Sequence, residues 1–146
     1  MFTQIHSWSV LVAAIVAYLI GWAWYSPVLW QKPWMKARGD TGEHWAKEGK
    51  KEMPKIMAYG FLNTLAEVFV LAVFLALTGV TTLFATLQVA LLLCFGFVVT
   101  VKFNDLLTTA HPPHWGKDAQ LIFLIDAGYQ IVLFMTVSSI IWWLSF

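Results

Sequence analysis

Four apolar runs, each long enough to cross a lipid bilayer, constrain this 146-residue chain more than any other feature of its sequence. The runs lie at about 7–28, 56–78, 82–102 and 119–144, and the hydrocarbon core of a bilayer requires roughly 20 residues of helix. Because 60% of the residues are hydrophobic and only 12% are charged, a soluble domain of this length would leave a large apolar surface in water. Backbone groups in lipid must find hydrogen-bond partners within their own segment. The sequence therefore predicts an all-α membrane protein with four transmembrane helices.

The connections between these runs predict how the helices are arranged. The short turn "LTGVTT" joins the second and third runs, whereas polar loops at about 29–55 and 103–118 follow the first and third runs. Neighbouring helices that are joined by short turns pack side by side in opposite directions. We therefore expect a single domain over residues 1–146, in which two helical hairpins form an antiparallel bundle.

The basic residues predict the orientation of this bundle in the membrane. All nine Lys and Arg residues fall in or beside the two long loops, away from the outer turn and both termini. Because cytoplasmic loops carry the excess of basic residues in membrane proteins, we expect both loops in the cytoplasm and both termini outside. The nine residues are Lys32, Lys36, Arg38, Lys47, Lys50, Lys51, Lys55, Lys102 and Lys117.

Two of the apolar runs carry a carboxylate and a carboxamide at matching positions. Asn63 and Glu67 lie four residues apart in the second run. Asp126 and Gln130 have the same spacing in the fourth run, so each pair shares one helix face. Counted from the cytoplasmic ends, the first member of each pair lies roughly 10 Å deep and the second roughly 16 Å deep. We therefore expect one contact between a carboxyl and a carboxamide group at each depth.

Charged side chains inside a bilayer are costly, by about 3 kcal/mol on insertion scales, and they commonly mark proton or ion pathways. With no Lys or Arg expected at the same depth, these carboxyl groups should be protonated for part of the time. The sequence thus favours a polar cavity, open to the cytoplasm, that binds a proton, a monovalent cation or a small cationic solute. Its candidate residues are Asn63, Glu67, Asp126, Gln130, Tyr59 and Tyr129, with Lys102, Asn104 and Asp105 at its mouth. The alternative is that these side chains only join helices, each contact contributing about 0.6 kcal/mol.

Tryptophan and tyrosine residues cluster where the apolar runs end. Such side chains anchor membrane proteins at both interfaces, because their rings have an apolar body and a polar edge. We therefore expect an anchoring role for both groups, and Pro27 should end or bend the first helix. The cytoplasmic group is Trp22, Trp24, Tyr25, Trp30, Trp34 and Trp115, and the outer group is Trp8, Trp142 and Trp143.

Small residues repeat at every fourth position of the first run, at Ala13, Ala17 and Gly21. A stripe of this kind allows two helices to approach closely in a membrane. The second helix belongs either to the same bundle or to another copy of the chain. A homo-oligomer, such as a dimer through this stripe, is therefore one expectation, and membership of a larger membrane complex is another.

Other kinds of site find little support in the sequence. Cys94 is the sole cysteine, which excludes an intramolecular disulfide and a thiolate metal cluster. His111 and His114 are separated by two prolines, which do not provide the helical spacing of typical metal ligands, so we predict no metal. The net charge of +1 gives no sign of nucleic-acid binding. No nucleotide loop or metalloprotease motif is present, and we expect no cofactor.

Three segments of the chain resemble a known bacterial family. "GWAWYSPVLWQKPWM" at 21–35 is similar to the W-Y-x-P-x-x-x-x-x-x-W-M segment that ends the first helix in the bacterial domain-of-unknown-function family 1761. "GFVVT" at 96–100 and "LIDAGYQIV" at 124–132 resemble segments of that family's third and fourth helices. The resemblance implies a small multi-pass protein of the bacterial inner membrane, without an assigned activity. Where the family has a Phe-Glu pair after its third helix, this chain has "FNDLL", with Asp105 as the candidate replacement.

Three functions are consistent with these features. The first is a small transporter, channel or ligand-binding membrane protein that uses the carboxylates Glu67 and Asp126. The second is a structural or accessory subunit of a larger membrane complex, in which the polar residues only join helices. The third, an integral membrane enzyme, is the least favoured because no catalytic motif supports it. The paired carboxylates favour the first function slightly over the second.

Overall fold

The computed structural model describes residues 6–40, 49–108 and 116–145, and every regular element in these ranges is helical. In chain order the elements are α1 (Ser7–Trp24), α2 (Gln31–Ala37), α3 (Gly49–Thr78), α4 (Leu83–Leu93), a π-helical segment (Cys94–Val99), α5 (Thr100–Thr108) and α6 (Lys117–Ser145). The π-helical segment continues α4 directly into α5, so the three form one helix from Leu83 to Thr108.

Within the described ranges, four helices are long and apolar enough to cross a membrane, which is the number that the sequence predicted. They are Ser7–Trp24, Glu52–Thr78, Leu83–Thr108 and Lys117–Ser145. Many large apolar side chains lie on the outside of the helices, among them Phe84 and Leu92, each 73% exposed. Such a surface is stable in hydrocarbon, where backbone polar groups are paired within each helix. These features are those of a multi-pass membrane protein.

Two helix boundaries differ from the predicted ones. α3 begins at Gly49 rather than near residue 56. Pro54 lies close to the start of α3, where its missing N–H leaves only the carbonyl of Lys50 without its usual donor. The third span continues to Thr108, so Asn104 and Asp105 belong to a helix instead of a loop. One side of this last stretch is held against the bundle by Leu106, which is 4% exposed.

The turn between α3 and α4 is built as its sequence predicts. Gly79 follows the last residue of α3 with a φ of +63°, a left-handed conformation that side chains other than glycine rarely adopt. The hydroxyl of Thr82 then accepts a hydrogen bond from the N–H of Ala85 at 3.3 Å and caps the start of α4. α3 therefore ends at Thr78 and α4 begins at Leu83, with four residues between them.

α1 packs against both α3 and α6, and the small-residue stripe forms its contact surface. Ala13 and Ala17 have no exposed surface. A Cβ atom at Gly21 would lie 2.8 Å from the hydroxyl oxygen of Tyr129, so any other residue at position 21 would displace the end of the Tyr129 side chain. The stripe is therefore occupied by helices of the same chain, and a dimer would have to use another surface.

The rest of the core joins the other helices around α1 and α6. α4 packs mainly on α6, whereas α3 makes few contacts with α4 or α6. A space therefore remains between α3 and the helix that contains the π-helical segment. The core residues contributed by these helices are Val68, Leu71, Ala72 and Leu75 of α3, Ala90 of α4, Cys94 of the π-helical segment, and Leu133, Phe134, Val137 and Ile141 of α6.

Replacing Ala17 with leucine tests the close packing of α1. Because Ala17 is fully buried, the larger side chain has to displace α3 or α6, and we expect the free energy of unfolding to fall by about 1–3 kcal/mol. Unfolding by SDS in mixed micelles measures this change. Val12→Leu, at a position that is 39% exposed, is the control and should leave stability almost unchanged. Equal stability of the two variants would contradict the packing.

Candidate functional site

A cavity of about 530 Å³ lies between α3, the π-helical segment and α6. Three polar side chains line it: Asn63 and Glu67 from α3, and Gln130 from α6. The other lining residues are apolar, namely Ala66, Val70, Leu71, Phe74, Leu93, Phe97, Val98 and Phe134. Cavities of this volume, with mainly apolar walls and a few polar groups, are typical of sites that bind small molecules. We call it the Glu67 cavity.

The Glu67 cavity lies near the middle of the membrane spans. At 1.5 Å per residue, Glu67 is roughly 22 Å from Glu52 and roughly 16 Å from Thr78, the two ends of its span. Gln130 is similarly central between Lys117 and Ser145. A carboxyl group at this depth is far from both membrane surfaces, where ionisation would be inexpensive.

One wall of the Glu67 cavity is π-helical. Phe97 and Val98 belong to the π-helical segment Cys94–Val99 and line the cavity. π-helical turns are rare, and they occur frequently at functional sites. No pattern in the sequence predicted this segment, because its residues read as a continuous apolar run.

The predicted contact between Glu67 and Gln130 is not a direct hydrogen bond. Although both side chains line the same cavity, the oxygen Oε1 of Gln130 is buried and has no hydrogen-bond partner among the described residues. A buried acceptor without a donor costs about 1–3 kcal/mol.

Asp126 does not line the Glu67 cavity and instead holds three helices together. Its Oδ1 accepts hydrogen bonds from the Tyr25 hydroxyl at 2.7 Å and from Trp34 Nε1 at 3.0 Å. Its Oδ2 lies 3.8 Å from Lys102 Nζ. The Asp126 side chain is only 13% exposed, so these donors replace most of its water. We call Tyr25, Trp34, Lys102 and Asp126 the aspartate cluster.

The expectation that both carboxylates lack a cation is wrong for Asp126. The sequence predicts a third helix that ends at about Lys102, but this helix continues to Thr108 and Lys102 lies six residues inside the span. Its long side chain reaches Asp126 from that position. The predicted set of four polar residues is therefore divided between two sites, with Asn63, Glu67 and Gln130 in one and Asp126 in the other.

Aromatic rings surround the aspartate cluster. The ring centroid of Tyr25 lies 5.3 Å from the ring centroid of Trp34 and 5.4 Å from that of Tyr129. The guanidinium carbon of Arg38 lies 4.5 Å from the ring centroid of Trp34, a cation–π contact. Burial, together with the hydrogen bond to Asp126, raises the pKa of Tyr25 above its usual value, so its hydroxyl keeps the donor proton.

These aromatic contacts add to the anchoring role that the sequence predicted. Trp24 donates from Nε1 to the carbonyl of Ile125 at 3.1 Å, and Trp34 donates to Asp126. A turn in which the N–H of Trp30 bonds to the carbonyl of Trp24 at 3.2 Å brings α2 back towards α6. The signal available in the sequence was an intramembrane aspartate, together with several N–H and O–H donors at and after the end of the first helix.

The other predicted site residues are not grouped around Glu67. Tyr129 belongs to the aromatic group beside Asp126. Tyr59 is 71% exposed and does not line the Glu67 cavity. Asn104 is exposed on α5. Asp105 lines a smaller cavity of about 180 Å³ with Arg38, Lys102 and Asp126.

The structure does not test the prediction made for the two histidines of the second loop. His111, His114 and Trp115 lie outside the described residues. Within the described ranges, no group of three or more His, Cys, Asp or Glu residues is arranged to hold a metal ion. The prediction of no metal site therefore stays a prediction.

Comparisons with known proteins identify one family. A family model described as "Protein of unknown function (DUF1761)" matches residues 8–142, which confirms the resemblance. No curated protein and no solved structure matches the chain. Two segments that carry the resemblance, 21–35 and 124–132, contain Tyr25, Trp34 and Asp126 and therefore meet in the aspartate cluster.

Replacing Asp126 with alanine tests the aspartate cluster. The change leaves the Tyr25 and Trp34 donors without their acceptor, and we expect the free energy of unfolding to fall by about 2–4 kcal/mol. Asp126→Asn keeps an oxygen acceptor and should lose less. Asp118→Ala, at an exposed position of α6, is the control and should stay within about 0.5 kcal/mol of the unsubstituted protein. If unfolding in micelles shows that Asp126→Ala and Asp118→Ala lower the free energy of unfolding by similar amounts, the aspartate cluster does not stabilise the fold.

Proposed function

Because this chain belongs to the DUF1761 family, whose description assigns no function, we propose its function from the Glu67 cavity. The protein is a small membrane transporter, channel or ligand-binding protein that takes up a proton or a small cation within the membrane. The supporting observation is a carboxyl group at mid-span in a cavity large enough for a ligand.

The charges around the Glu67 cavity favour a positively charged ligand. Glu67 is the only charged residue among those that line it. An ionised carboxylate in hydrocarbon is costly, and a proton or a cation bound beside it reduces that cost. Asp126, in contrast, already has a cation and two hydrogen-bond donors in contact with it. The binding role is therefore assigned to Glu67 and not to the pair of carboxylates.

We also propose an antiparallel bundle of two hairpins, with both termini outside and the basic loops in the cytoplasm. Contacts at both ends of α1 support it. The hydroxyl oxygens of Ser9 and Ser145 are 3.0 Å apart, so the start of α1 lies beside the end of α6. Trp24 bonds to Ile125, so the end of α1 lies beside the first half of α6. The one-sided distribution of Lys and Arg supports the orientation, and the bacterial inner membrane is the location that the resemblance of segments 21–35, 96–100 and 124–132 implies.

Proton flux into liposomes tests the transport form of this proposal. Purified protein is reconstituted with a pH-sensitive dye inside the vesicles, and a potassium diffusion potential drives protons inward. Glutamine at position 67 retains hydrogen bonding but cannot titrate, so Glu67→Gln should reduce the flux to that of protein-free vesicles. Glu52→Gln, an exposed position in the first turn of α3, is the matched control and should retain the flux. Equal flux from the unsubstituted protein and Glu67→Gln would remove the transport function.

Chemical modification tests the other form of this proposal, in which the protein binds its ligand without transporting it. A hydrophobic carbodiimide reacts with protonated carboxyl groups in apolar surroundings, and mass spectrometry locates the product. We expect modification at Glu67 and little at Asp126, which is held by its donors. Absence of modification at Glu67, together with flux that does not depend on it, would contradict the proposed function in both forms.

The contacts of Asp126 favour a second function, that of a structural or accessory subunit. They are those of a residue that joins helices, and a larger complex would then provide the activity. This alternative predicts that extraction in a mild detergent recovers a defined partner in a fixed ratio. Recovery of homo-oligomers alone would contradict it.

A further inference from the structure

We propose that Lys102 is a counter-ion shared by two carboxylates: its ammonium group stays beside Asp126 while Glu67 is protonated, and moves to Glu67 when that carboxyl group loses its proton. This inference rests on the proposed function and selects the proton from its two candidate ligands. Three observations carry it: the long distance between Lys102 and Asp126, the other donors to Asp126, and the position of Lys102 one helical turn from the Glu67 cavity.

The contact between Lys102 and Asp126 is loose. Lys102 Nζ lies 3.8 Å from Asp126 Oδ2, whereas a hydrogen bond from an ammonium group to a carboxylate spans about 2.7–2.9 Å. The Lys102 side chain is 35% exposed, and the stem of a lysine is flexible. The ammonium group can therefore leave Asp126 without breaking a direct hydrogen bond.

Asp126 stays stabilised when Lys102 moves away. Its Oδ1 accepts hydrogen bonds from the Tyr25 hydroxyl and from Trp34 Nε1, and neither donor belongs to the helix that carries Lys102. Hydrogen bonds to the charged form of a carboxyl group favour that form. Asp126 can therefore remain ionised in both positions of Lys102.

The charges around Lys102 leave room for a second partner. The smaller cavity beside it is lined by two cations and two carboxylates, namely Arg38, Lys102, Asp105 and Asp126. Glu67 lies outside this balanced set, and it interacts electrostatically with Lys102. Tyr129 and Cys94 also interact with the charge of Glu67, but neither carries a positive charge. An ionised Glu67 therefore competes with Asp126 for one ammonium group.

The helix that carries Lys102 also directs it towards the Glu67 cavity. Val98 lines this cavity, and Lys102 follows Val98 by about one turn, or roughly 6 Å along the axis. Residues one turn apart share a helix face. On α6, Gln130 lines the cavity one turn beyond Asp126. A displacement of about one turn along the two helices therefore takes the ammonium group from Asp126 to the Glu67 cavity.

Proton release by Glu67 then occurs with a counter-ion nearby. The carboxyl O–H bond breaks, a water molecule takes the proton, and the electron pair stays on the carboxylate oxygen. The ammonium group of Lys102 moves beside this carboxylate and stabilises its charge within the membrane. When a proton returns to Glu67, Lys102 moves back to Asp126. Because Lys102 takes the place that an external cation would occupy, the ligand is the proton.

The rate at which a hydrophobic carbodiimide modifies Glu67 tests this inference, because the reagent attacks the protonated carboxyl group. The protein is held in liposomes at a pH where the rate has fallen well below its maximum, and mass spectrometry measures the initial rate. Lys102→Met removes the counter-ion and should raise the rate by about threefold or more. Asp126→Asn removes the competing carboxylate and should lower the rate by about threefold or more. Lys117→Met, at an exposed position in the first turn of α6, is the control and should leave the rate unchanged.

The outcomes separate this inference from the function on which it rests. Equal rates in the unsubstituted protein and Lys102→Met would overturn the shared counter-ion. A change in the same direction in Lys102→Met and Asp126→Asn would also overturn it, because loss of a purely structural contact affects both variants alike. If sodium or potassium chloride lowers the rate more than choline chloride does, an external cation binds beside Glu67, which overturns this inference but leaves the proposed function in place. Absence of both carbodiimide modification at Glu67 and Glu67-dependent flux would remove both.

Discussion

The hydrogen bonds that Asp126 accepts from Tyr25 and Trp34 bring together parts of the chain that are about 100 residues apart in sequence. Tyr25 follows α1 directly, Trp34 belongs to α2, and Lys102 reaches the same carboxylate from α5. A carboxylate inside a membrane protein is stable only with such partners. The position of α2 against α6, and of α5 beside it, therefore depends on one side chain of α6.

Glu67 and Asp126 occupy similar positions in the sequences of their helices, but their surroundings differ. Asp126 meets donors from α2, from α5 and from the residue that follows α1, while Glu67 faces a mainly apolar cavity. The difference follows from helix packing, because α1 occupies the space between α3 and α6 over much of their length. The small residues of α1 allow this close approach on one side. On the other side α3 and the π-helical segment stay apart, and the Glu67 cavity lies between them.

Much of the fold could be predicted from the sequence, because apolar length alone determines which segments cross a membrane. The four spans, the glycine after Thr78 and the buried stripe of Ala13 and Ala17 follow from local patterns. The site was predictable only in part. Residues four apart on one helix share a face, which placed Asn63 beside Glu67. Which helix that face meets is a property of the whole bundle, and so the separation of Asp126 from Glu67 could not be inferred.

The π-helical segment determines the register of all the residues that follow it. A π-helical turn contains one residue more than the α-helical turn it replaces. If Cys94–Val99 were one residue shorter and α-helical, α5 would rotate by about 100° and shift by about 1.5 Å along its axis. Lys102 would then turn away from Asp126, and Leu106 would leave the core. Deleting Gly96, which lines neither site, would therefore remove Lys102 from the aspartate cluster and Leu106 from the core without removing a residue of either site.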